Sequence, residues 1–209
     1  MITVEPPHTK EFFERSFESA KITEDRKSSL MQIAEVVINR YKIDKTVNLN
    51  FICTYNSRRS QFGQAWSYFA SHYFNVNIHS FSGGTEITAF HANTVEALQK
   101  AGFIFKLIHF SHRNPVYDIR FEGAEKGISG FSKMYHDKIN KKPFIAITTC
   151  NSADAECSFI PEAIQRFHLP YTDPKFSDNT EKQGKTYLKT SRQVAAEMFY
   201  FFSAIKIAV

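Results

Sequence analysis

The fold is decided by one stretch of the chain, residues 47–69, which reads VNLNFICTYNSRRSQFGQAWSYF. Apolar and polar residues alternate at 47–52, which is the period of a half-buried β-strand, and this strand runs directly into Cys53. From Ser60 onward apolar side chains recur every three or four residues, and serine is a residue that commonly opens a helix. The sequence therefore predicts a strand, a polar loop and a helix, in that order.

The rest of the chain is predicted to alternate between helices and strands. Helices are expected at 9–20, 24–42, 91–101, about 130–140, 160–167 and 178–206, and strands at 76–82, 143–149 and 167–171. Residues 103–121 are expected to hold a strand followed by an edge strand or hairpin. This alternation is typical of an α/β fold with a mainly parallel central sheet, and helices on both faces would make it a three-layer sandwich.

The composition favours an anionic ligand without favouring a nucleic acid or a membrane. The 26 Lys and Arg residues exceed the 21 Asp and Glu residues, and the net charge of +5 is spread along the chain rather than gathered in a basic arm. Charges and prolines interrupt residues 1–17 before an apolar signal segment can form. The apolar tail at 194–209 carries Glu197 and Lys206 and is shorter than the roughly 20 residues of a membrane span. We therefore expect a cytoplasmic protein.

The loop at 53–60 has the composition of a site for a tetrahedral oxyanion. Its Cys-x5-Arg spacing supplies a thiol nucleophile, Cys53, and a planar guanidinium, Arg59, that can bind two oxygens at once. Backbone N–H groups ahead of a helix bind anions and favour the thiolate, and Ser60 can donate a hydrogen bond to that thiolate. The expected oxyanion-binding residues are Thr54, Tyr55, Asn56, Ser57, Arg58 and Arg59. The alternative is a buried cysteine at a strand end, followed by two solvated arginines.

The segment CTYNSRRS at 53–60 resembles the phosphate-binding loop of the low-molecular-weight protein tyrosine phosphatase superfamily, which includes the thioredoxin-coupled arsenate reductases. That superfamily places its Cys-x5-Arg-Ser loop after the first strand and an Asp-Pro pair late in the chain, matched here by Asp173-Pro174. Other tyrosine phosphatases place the acidic residue before the cysteine, where this chain has only two aspartates, both in the predicted helical arm or its exit. The segment SGGTE at 82–86 is also similar to the superfamily's segment after its second strand.

This resemblance covers roughly residues 47–205 and implies several further features. It implies a low-molecular-weight-phosphatase-like α/β domain at 45–209, and it leaves 1–44 as an N-terminal helical extension without a counterpart. It also implies that Asp173 is the general acid that protonates the leaving oxygen, and that Pro174 stiffens the loop around it. Without the resemblance, an ordinary turn would explain the Asp-Pro pair better.

The other two cysteines lie in a segment, CNSADAEC at 150–157, that is similar to the redox segment of the arsenate reductases. By this resemblance Cys53 binds arsenate, Cys150 forms a disulfide with Cys53 as arsenite leaves, and Cys157 then captures Cys150. A thioredoxin-like partner would reduce the last disulfide, and no further cofactor is implied. The alternative is that Cys150 and Cys157 merely pack in the core. A metal site is disfavoured because the spacing suits no usual zinc motif and no His lies nearby in sequence.

The spacing of Cys150 and Cys157 puts a condition on such a relay. Seven helical steps of about 1.5 Å would separate the two Cα atoms by about 10 Å, beyond the limit of about 7 Å for a disulfide. The segment between them must therefore bend or unwind, which its small and polar residues make easier.

The chain departs from the superfamily pattern at two positions of the loop and in the segment after the Asp-Pro pair. Tyr55 occupies a position that is usually glycine, which predicts an altered backbone geometry. Arg58 replaces the second loop cysteine of the mammalian-type phosphatases, so no protective disulfide can form within the loop. After the Asp-Pro pair, only Phe176 is placed to wall an aromatic substrate.

Three functions fit these residues. The first is arsenate reduction through a Cys53/Cys150/Cys157 thiol relay, which we favour because all three cysteines of the chain fall where that mechanism needs them. The second is a low-molecular-weight phosphatase that hydrolyses phosphoesters, including phosphotyrosine in proteins, through a phosphocysteine. The third is a catalytically weak module that senses an anion or binds a partner.

Overall fold

The computed structural model describes residues 8–209, and most of its elements follow the alternation expected from the sequence. The helices are α1 (Thr9–Ser19), α2 (Glu24–Asp44), α3 (Arg59–Tyr73), α4 (Ala92–Lys100), α5 (Asn151–Glu156) and α6 (Gln183–Ala208), with a 3₁₀ turn at Pro174–Ser177. The strands are β1 (Val47–Cys53), β2 (Ile78–Gly84), β3 (Ile104–His109), β4 (Val116–Arg120), β5 (Ile128–Gly130), β6 (Phe144–Thr148) and β7 (Ala163–His168). Within the described residues, no helix combines the length and the apolar character that a bilayer crossing requires.

The centre of the fold is a four-stranded parallel sheet in the order β2-β1-β6-β7. Strand β1 lies between β2 and β6 and pairs with both, so that Val47 lies opposite Ile78 and Ile52 lies opposite Thr148. Both middle strands are buried almost throughout. The apolar run of β6 predicts this, whereas the alternation in β1 predicts a strand that is only half-buried. Because parallel strands end at the same edge of a sheet, the loop after Cys53 and the segment after Thr148 emerge side by side.

Side chains of β6 alternate between two hydrophobic clusters, so the clusters lie on opposite faces of the sheet. Ile145 and Ile147 belong to the larger cluster, to which α1, α2, α3, α4 and α6 all contribute. Phe144 and Ala146 belong to the smaller cluster, which also contains Ala153 of α5. Helices therefore cover both faces, and the predicted three-layer α/β sandwich is confirmed.

The N-terminal helices complete the larger cluster. Phe12 and Phe13 of α1 stack on Trp66, with ring centroids 5.4 and 5.7 Å apart. The indole N–H of Trp66 in turn donates to Ser191 Oγ of α6 at 3.0 Å. Phe13 and, in α2, Leu30 are fully buried. The two helices thus supply core side chains to the α/β unit.

The helix expected at about 130–140 is wrong, because turns and extended backbone follow β5 there. The backbone of this segment bonds to the end of β2: the N–H of Gly84 donates to Lys133 O at 2.8 Å, and the N–H of Tyr135 donates to Gly84 O at 3.0 Å. Backbone groups engaged in this way are not available for a helix. Pairing with β2 therefore decides the conformation of this segment.

The helix expected at 160–167 and the strand expected at 167–171 are also wrong. Strand β7 occupies Ala163–His168 and pairs in parallel with Phe144–Thr148 of β6. It is an edge strand whose residues are half-buried or exposed, so its sequence, AIQRFH, lacks the apolar run of the inner strands. The helix that connects β6 to β7 is the short α5.

The hairpin expected within 103–121 is confirmed, and it belongs to a second sheet. Strand β3 pairs antiparallel with β4, and β5 adds a third strand that the sequence does not predict. In the β3–β4 connection, Asn114 Nδ2 donates to Ser132 O at 2.7 Å, and the N–H of Ser132 donates to Asn114 Oδ1 at 3.0 Å. The hairpin thereby fixes Ser132, which contacts the Cys53 loop.

Candidate active site

The loop between β1 and α3 positions the Cys53 sulfur through a chain of hydrogen bonds that begins at the backbone N–H of Lys133. The backbone N–H of Lys133 donates to Asn56 Oδ1 at 3.1 Å, so the amide nitrogen of Asn56 faces Ser60, to whose Oγ it donates at 2.8 Å. Because Ser60 Oγ accepts this bond, its proton is free to point at Cys53 Sγ, 3.0 Å away. A thiolate at Cys53 therefore receives a hydrogen bond.

The shape of the loop depends on two positions with unusual backbone requirements. Asn56 has a left-handed φ of 45°, which asparagine adopts more readily than most residues. A Cβ atom on Gly84 would lie 2.6 Å from Thr54 O and 2.8 Å from Asn56 N, so the end of β2 can approach the loop only because it is glycine. Tyr55 is not among the residues with a left-handed φ, so a tyrosine in this usual glycine position causes no such strain.

Residues outside the predicted site hold the outer part of the loop. Tyr55 O accepts hydrogen bonds from Ser132 Oγ at 2.8 Å and from Thr88 Oγ1 at 3.3 Å. Thr54 O accepts from the backbone N–H of Glu86 at 2.8 Å. The sequence predicts none of these contacts: the similarity of SGGTE to the superfamily marks only the segment that contains Glu86, and no sequence signal marks Ser132 or Thr88. The side chain of Tyr55 is half-exposed beside these contacts.

Arg59 and Asp173 are far apart in sequence but form an ion pair at the site. Arg59 Nη2 lies 2.6 Å from Asp173 Oδ2, and the two side chains are 15% and 32% exposed. Asp173 also accepts from the backbone N–H of Lys175 at 3.1 Å, and so caps the 3₁₀ turn that Pro174 begins. Arg59 Nε is buried and has no acceptor in the described part of the chain. An unpaired buried donor costs free energy, and a bound oxyanion would supply the missing acceptor.

The guanidinium of Arg58 turns away from the loop and anchors it to α6. Its Nε donates to Tyr187 Oη at 2.8 Å and its Nη2 to Asp178 Oδ2 at 3.2 Å, while Tyr187 donates to Asp178 Oδ1 at 2.7 Å. Burial and the bond to Asp178 raise the pKa of Tyr187 to about 12. Burial alone would raise the pKa of Asp178, but the bond from Tyr187 and the charge of Arg58 lower it. The expected oxyanion contact of Arg58 is therefore restricted to its backbone N–H.

All three cysteines are buried free thiols that share the smaller hydrophobic cluster. Cys53 ends β1, and Cys150 follows β6, the neighbouring strand. Thr54 Oγ1 lies 3.5 Å from Cys150 Sγ, so the residue after Cys53 contacts Cys150 directly. Cys157 lies at the far end of α5, where burial and the charge of Glu156 raise the pKa of its thiol. The structure thus gathers the three predicted cysteines, with a helix between the last two.

Lys133 is a buried lysine beside the Cys53 loop that the sequence does not predict. The residue is only 2% exposed, its Nζ donates to Ser82 Oγ at 3.4 Å, and the ammonium lies 4.9 Å from the centroid of the Phe131 ring. Burial lowers the pKa of Lys133 to about 7, and the charge of Asp137 offsets this only in part. Because its backbone N–H orders Asn56, this residue links the end of β2 to the Cys53 loop.

The chain is similar to known proteins over more than half of its length, although no family model matches it. It is 24% identical over 153 residues to an arsenate reductase of Bacillus licheniformis, which covers 73% of this chain and 92% of that protein. It is 30% identical over 124 residues to an arsenate reductase of Brevibacillus brevis, which covers 59% of this chain and 74% of that protein. The low-molecular-weight protein tyrosine phosphatase of T. tengcongensis has the same fold, with a TM-score of 0.50 at 15% identity over 75% of this chain and 98% of that one.

These similarities confirm the resemblance found at the Cys53 loop. The Brevibacillus relative carries the assignment to a family, because its identity to this chain extends over nearly three quarters of its length. The solved structure independently shows a shared fold. The chain belongs to the low-molecular-weight protein tyrosine phosphatase superfamily of cysteine-nucleophile enzymes, in its arsenate reductase branch.

Proposed function

We propose that the protein reduces arsenate to arsenite through Cys53, Cys150 and Cys157. The observation that supports the proposal is that three buried free thiols belong to one cluster: Cys53 ends β1, Cys150 follows the neighbouring parallel strand β6, and Cys157 lies at the far end of α5. A phosphatase needs only the first of these thiols, whereas a relay of disulfide exchanges needs all three. The names of the similar bacterial enzymes support the same choice.

The first step is attack of the Cys53 thiolate on arsenate. Ser60 can donate a hydrogen bond to the attacking sulfur, and the loop N–H groups at the start of α3 stabilise the bound oxyanion. Arg59, whose Nε finds no acceptor among residues 8–209, turns from Asp173 to the arsenate oxygens. Asp173 then carries a proton to the departing oxygen. An arsenic–oxygen bond breaks, water leaves, and a bond forms between Cys53 and arsenic.

Two thiol exchanges complete the reaction. Cys150 attacks the Cys53 sulfur, and the electron pair of the sulfur–arsenic bond stays with arsenic, which leaves as arsenite. Cys157 next attacks Cys150, so that the Cys53 thiolate is restored and a Cys150–Cys157 disulfide forms. An external dithiol of the thioredoxin type reduces this disulfide and is itself oxidised. Two electrons thus pass from the partner to arsenic in each cycle.

The test is a single turnover without added reductant. Reduced protein mixed with excess arsenate should release one arsenite per chain and lose two of its three thiols. The Cys157→Ser variant should still release arsenite but stop at the Cys53–Cys150 disulfide, and the Cys150→Ser variant should release none. With thioredoxin and its reductase present, both variants should fail to turn over. Unchanged arsenite release by Cys150→Ser would contradict the relay.

The contact between Arg59 and Asp173 favours a second activity, the hydrolysis of phosphoesters. With Cys53 these residues form a complete set for making and hydrolysing a phosphocysteine, without the other two thiols. We expect aryl phosphate hydrolysis that is lost in Cys53→Ser and falls about a hundredfold in Asp173→Asn. The Cys150→Ser and Cys157→Ser variants should keep this activity, so they serve as matched controls for the reductase assay.

A further inference from the structure

A polar cluster pins α5 to the central sheet. Asp154 of α5 accepts at Oδ1 from Thr148 Oγ1 at 2.7 Å, and the same oxygen pairs with Arg166 Nη1. His168 Nδ1 lies 3.4 Å from that oxygen, and His168 Nε2 lies 3.1 Å from Asn151 Oδ1 at the start of α5. Thr148 ends β6, whereas Arg166 and His168 lie on β7. We call Asp154, Thr148, Arg166 and His168 the Asp154 brace.

The helical form of α5 depends on contacts of this kind. The helix has six residues, Asn151–Glu156, and isolated helices of that length do not persist in water. Its sequence, NSADAE, includes poor helix formers and ends with an acidic residue, which the helix dipole disfavours at that end. Burial of Ala153 supplies an apolar contact to the sheet. The Asp154 brace supplies the polar ones.

The Asp154 brace opposes formation of the Cys150–Cys157 disulfide in the proposed relay. A helical path holds the Cα atoms of Cys150 and Cys157 about 10 Å apart, whereas a disulfide needs less than about 7 Å. Asp154 lies between the two cysteines and contacts both β6 and β7, so α5 cannot unwind until these contacts break. Burial would raise the pKa of Asp154, but the Thr148 bond and the charges of His168 and Arg166 lower it. The carboxylate therefore stays ionised and paired at neutral pH.

We propose that Asp154 is a positioning residue that sets the rate of the Cys157 step: the brace keeps α5 helical and the two thiols apart, and its release lets Cys157 reach Cys150. This inference rests on the proposed arsenate reduction and names the structural step that limits it. The Asp154→Asn variant keeps the size of the side chain and removes the charge that pairs with Arg166. Opening of α5 should then become about tenfold more frequent.

Opening can be measured without arsenate, as the rate at which iodoacetamide alkylates Cys157 in a Cys53→Ser background. Cys157 is buried, so it reacts only when α5 opens. We expect Asp154→Asn to raise this rate about tenfold. Arg166→Met should raise the alkylation rate by a similar factor. The double variant should react little faster than either single variant, because both substitutions break the same Asp154–Arg166 contact. Mass spectrometry locates the label, and an unchanged or slower rate in both single variants would overturn the proposal.

Glu156→Gln is the matched control. Glu156 and Asp154 both raise the pKa of Cys157, and Glu156 does so more strongly, yet it is exposed and lies outside the brace. If Asp154→Asn acted only through the charge near the thiol, Glu156→Gln would accelerate alkylation at least as much. The brace is supported if Asp154→Asn raises the alkylation rate about tenfold and Glu156→Gln raises it less than about twofold. Equal gains overturn it.

A second measurement separates this inference from the proposed function. In a single turnover with arsenate, Asp154→Asn should form the Cys150–Cys157 disulfide about tenfold faster. Aryl phosphate hydrolysis needs no opening of α5 and should stay unchanged. If the wild-type protein does not reduce arsenate, the proposed function fails, while alkylation of Cys157 still decides whether the brace holds α5 closed. Faster alkylation with an unchanged rate of disulfide formation would overturn the rate-setting role.

Discussion

At the scale of the residue, the hydrogen bonds of Ser60 can orient its hydroxyl proton toward Cys53, the proposed nucleophile. Asn56 Nδ2 donates to Ser60 Oγ, which leaves the Ser60 proton for Cys53. The Asn56→Asp substitution puts an acceptor of the same size in place of this donor, so the Ser60 proton turns away from the sulfur and a negative charge faces the thiolate. We expect turnover of arsenate and of aryl phosphate to fall about a hundredfold at neutral pH.

Ser60→Ala is a milder substitution against which the loss of turnover in Asn56→Asp can be compared. It removes the hydrogen bond to Cys53 without adding a charge, so we expect a loss of only about tenfold in turnover. Thermal unfolding of both variants checks that the loop remains folded. Equal losses in Ser60→Ala and Asn56→Asp would mean that the presence of the bond matters and its direction does not.

Lys133 makes the stability of the protein depend on pH in a defined direction. Its pKa in the fold, about 7, lies below its ordinary value of 10.5, so between these values the unfolded state binds more protons. Stability should therefore rise with pH in this window, by about 2 kcal/mol between about pH 7 and about pH 9. Lys133→Met removes this contribution. Urea unfolding of both proteins measures it, and identical pH dependence in the two would contradict the expectation.

How far the sequence predicts the site depends on the kind of contact. Cys53, Arg59 and Ser60 stand in one short motif, so the chain itself implies that they lie together. Asp173 meets Arg59 across the fold, and only the family resemblance predicts it. Lys133 acts on the loop through a backbone N–H, which nearly every residue has, so no sequence signal marks it.

At the scale of the element, the end of β2 approaches the backbone of the Cys53 loop too closely for any side chain at Gly84. A Cβ on Gly84 would lie 2.6 Å from Thr54 O and 2.8 Å from Asn56 N, and neither atom can move without distorting the loop. Because a misplacement of about 1 Å in an active site can cost about a hundredfold in rate, Gly84→Ala should lower turnover by about that factor. Steady-state kinetics with arsenate and with aryl phosphate measure the loss.

A glycine in α6 supplies the control for this substitution. A Cβ on Gly184 would meet only Lys100 Nζ, at 3.8 Å. Alanine is favoured over glycine in the interior of a helix by about 0.5 to 1 kcal/mol, and Gly184 lies in the first turn of α6, so Gly184→Ala should raise the free energy of unfolding by less than about 1 kcal/mol. Its turnover should match the wild type. If the two glycine variants turned over equally well, the steric explanation for Gly84 would be wrong.

The sequence correctly predicts the elements that have a clear local pattern of apolar and polar residues. Strands β1 and β6 are buried on both faces, and α2 presents one apolar stripe, so each carries a clear local pattern. Strand β7, at Ala163–His168, is an edge strand, and the segment at 131–135 is held by partners from β2. In both cases pairing with distant residues overrides a weak local preference, which is why neither is predicted.

At the scale of the whole molecule, the N-terminal helices and the α/β unit share one hydrophobic core. Phe13 of α1 is fully buried against Trp66 of α3 and Phe199 of α6. The sequence predicts α1 and α2 as helices but not their docking site, because the apolar stripe of an amphipathic helix fits many surfaces. Since the structure places both helices on the main core, we expect them to unfold together with the sheet.

The Phe13→Ala variant tests this expectation. It should lower the free energy of unfolding by about 3 to 4 kcal/mol, because it leaves a cavity among packed aromatic rings. Far-ultraviolet circular dichroism and the fluorescence of the single tryptophan, Trp66, should report one transition at the same urea concentration. Phe176→Ala is the control: the side chain is 72% exposed, so the change should be less than about 0.5 kcal/mol. If α1 were a separate unit, part of the circular dichroism signal would be lost first, and the sheet would unfold at the wild-type urea concentration. A single transition of Phe13→Ala at lower urea would instead show that α1 unfolds together with the sheet that holds the Cys53 loop.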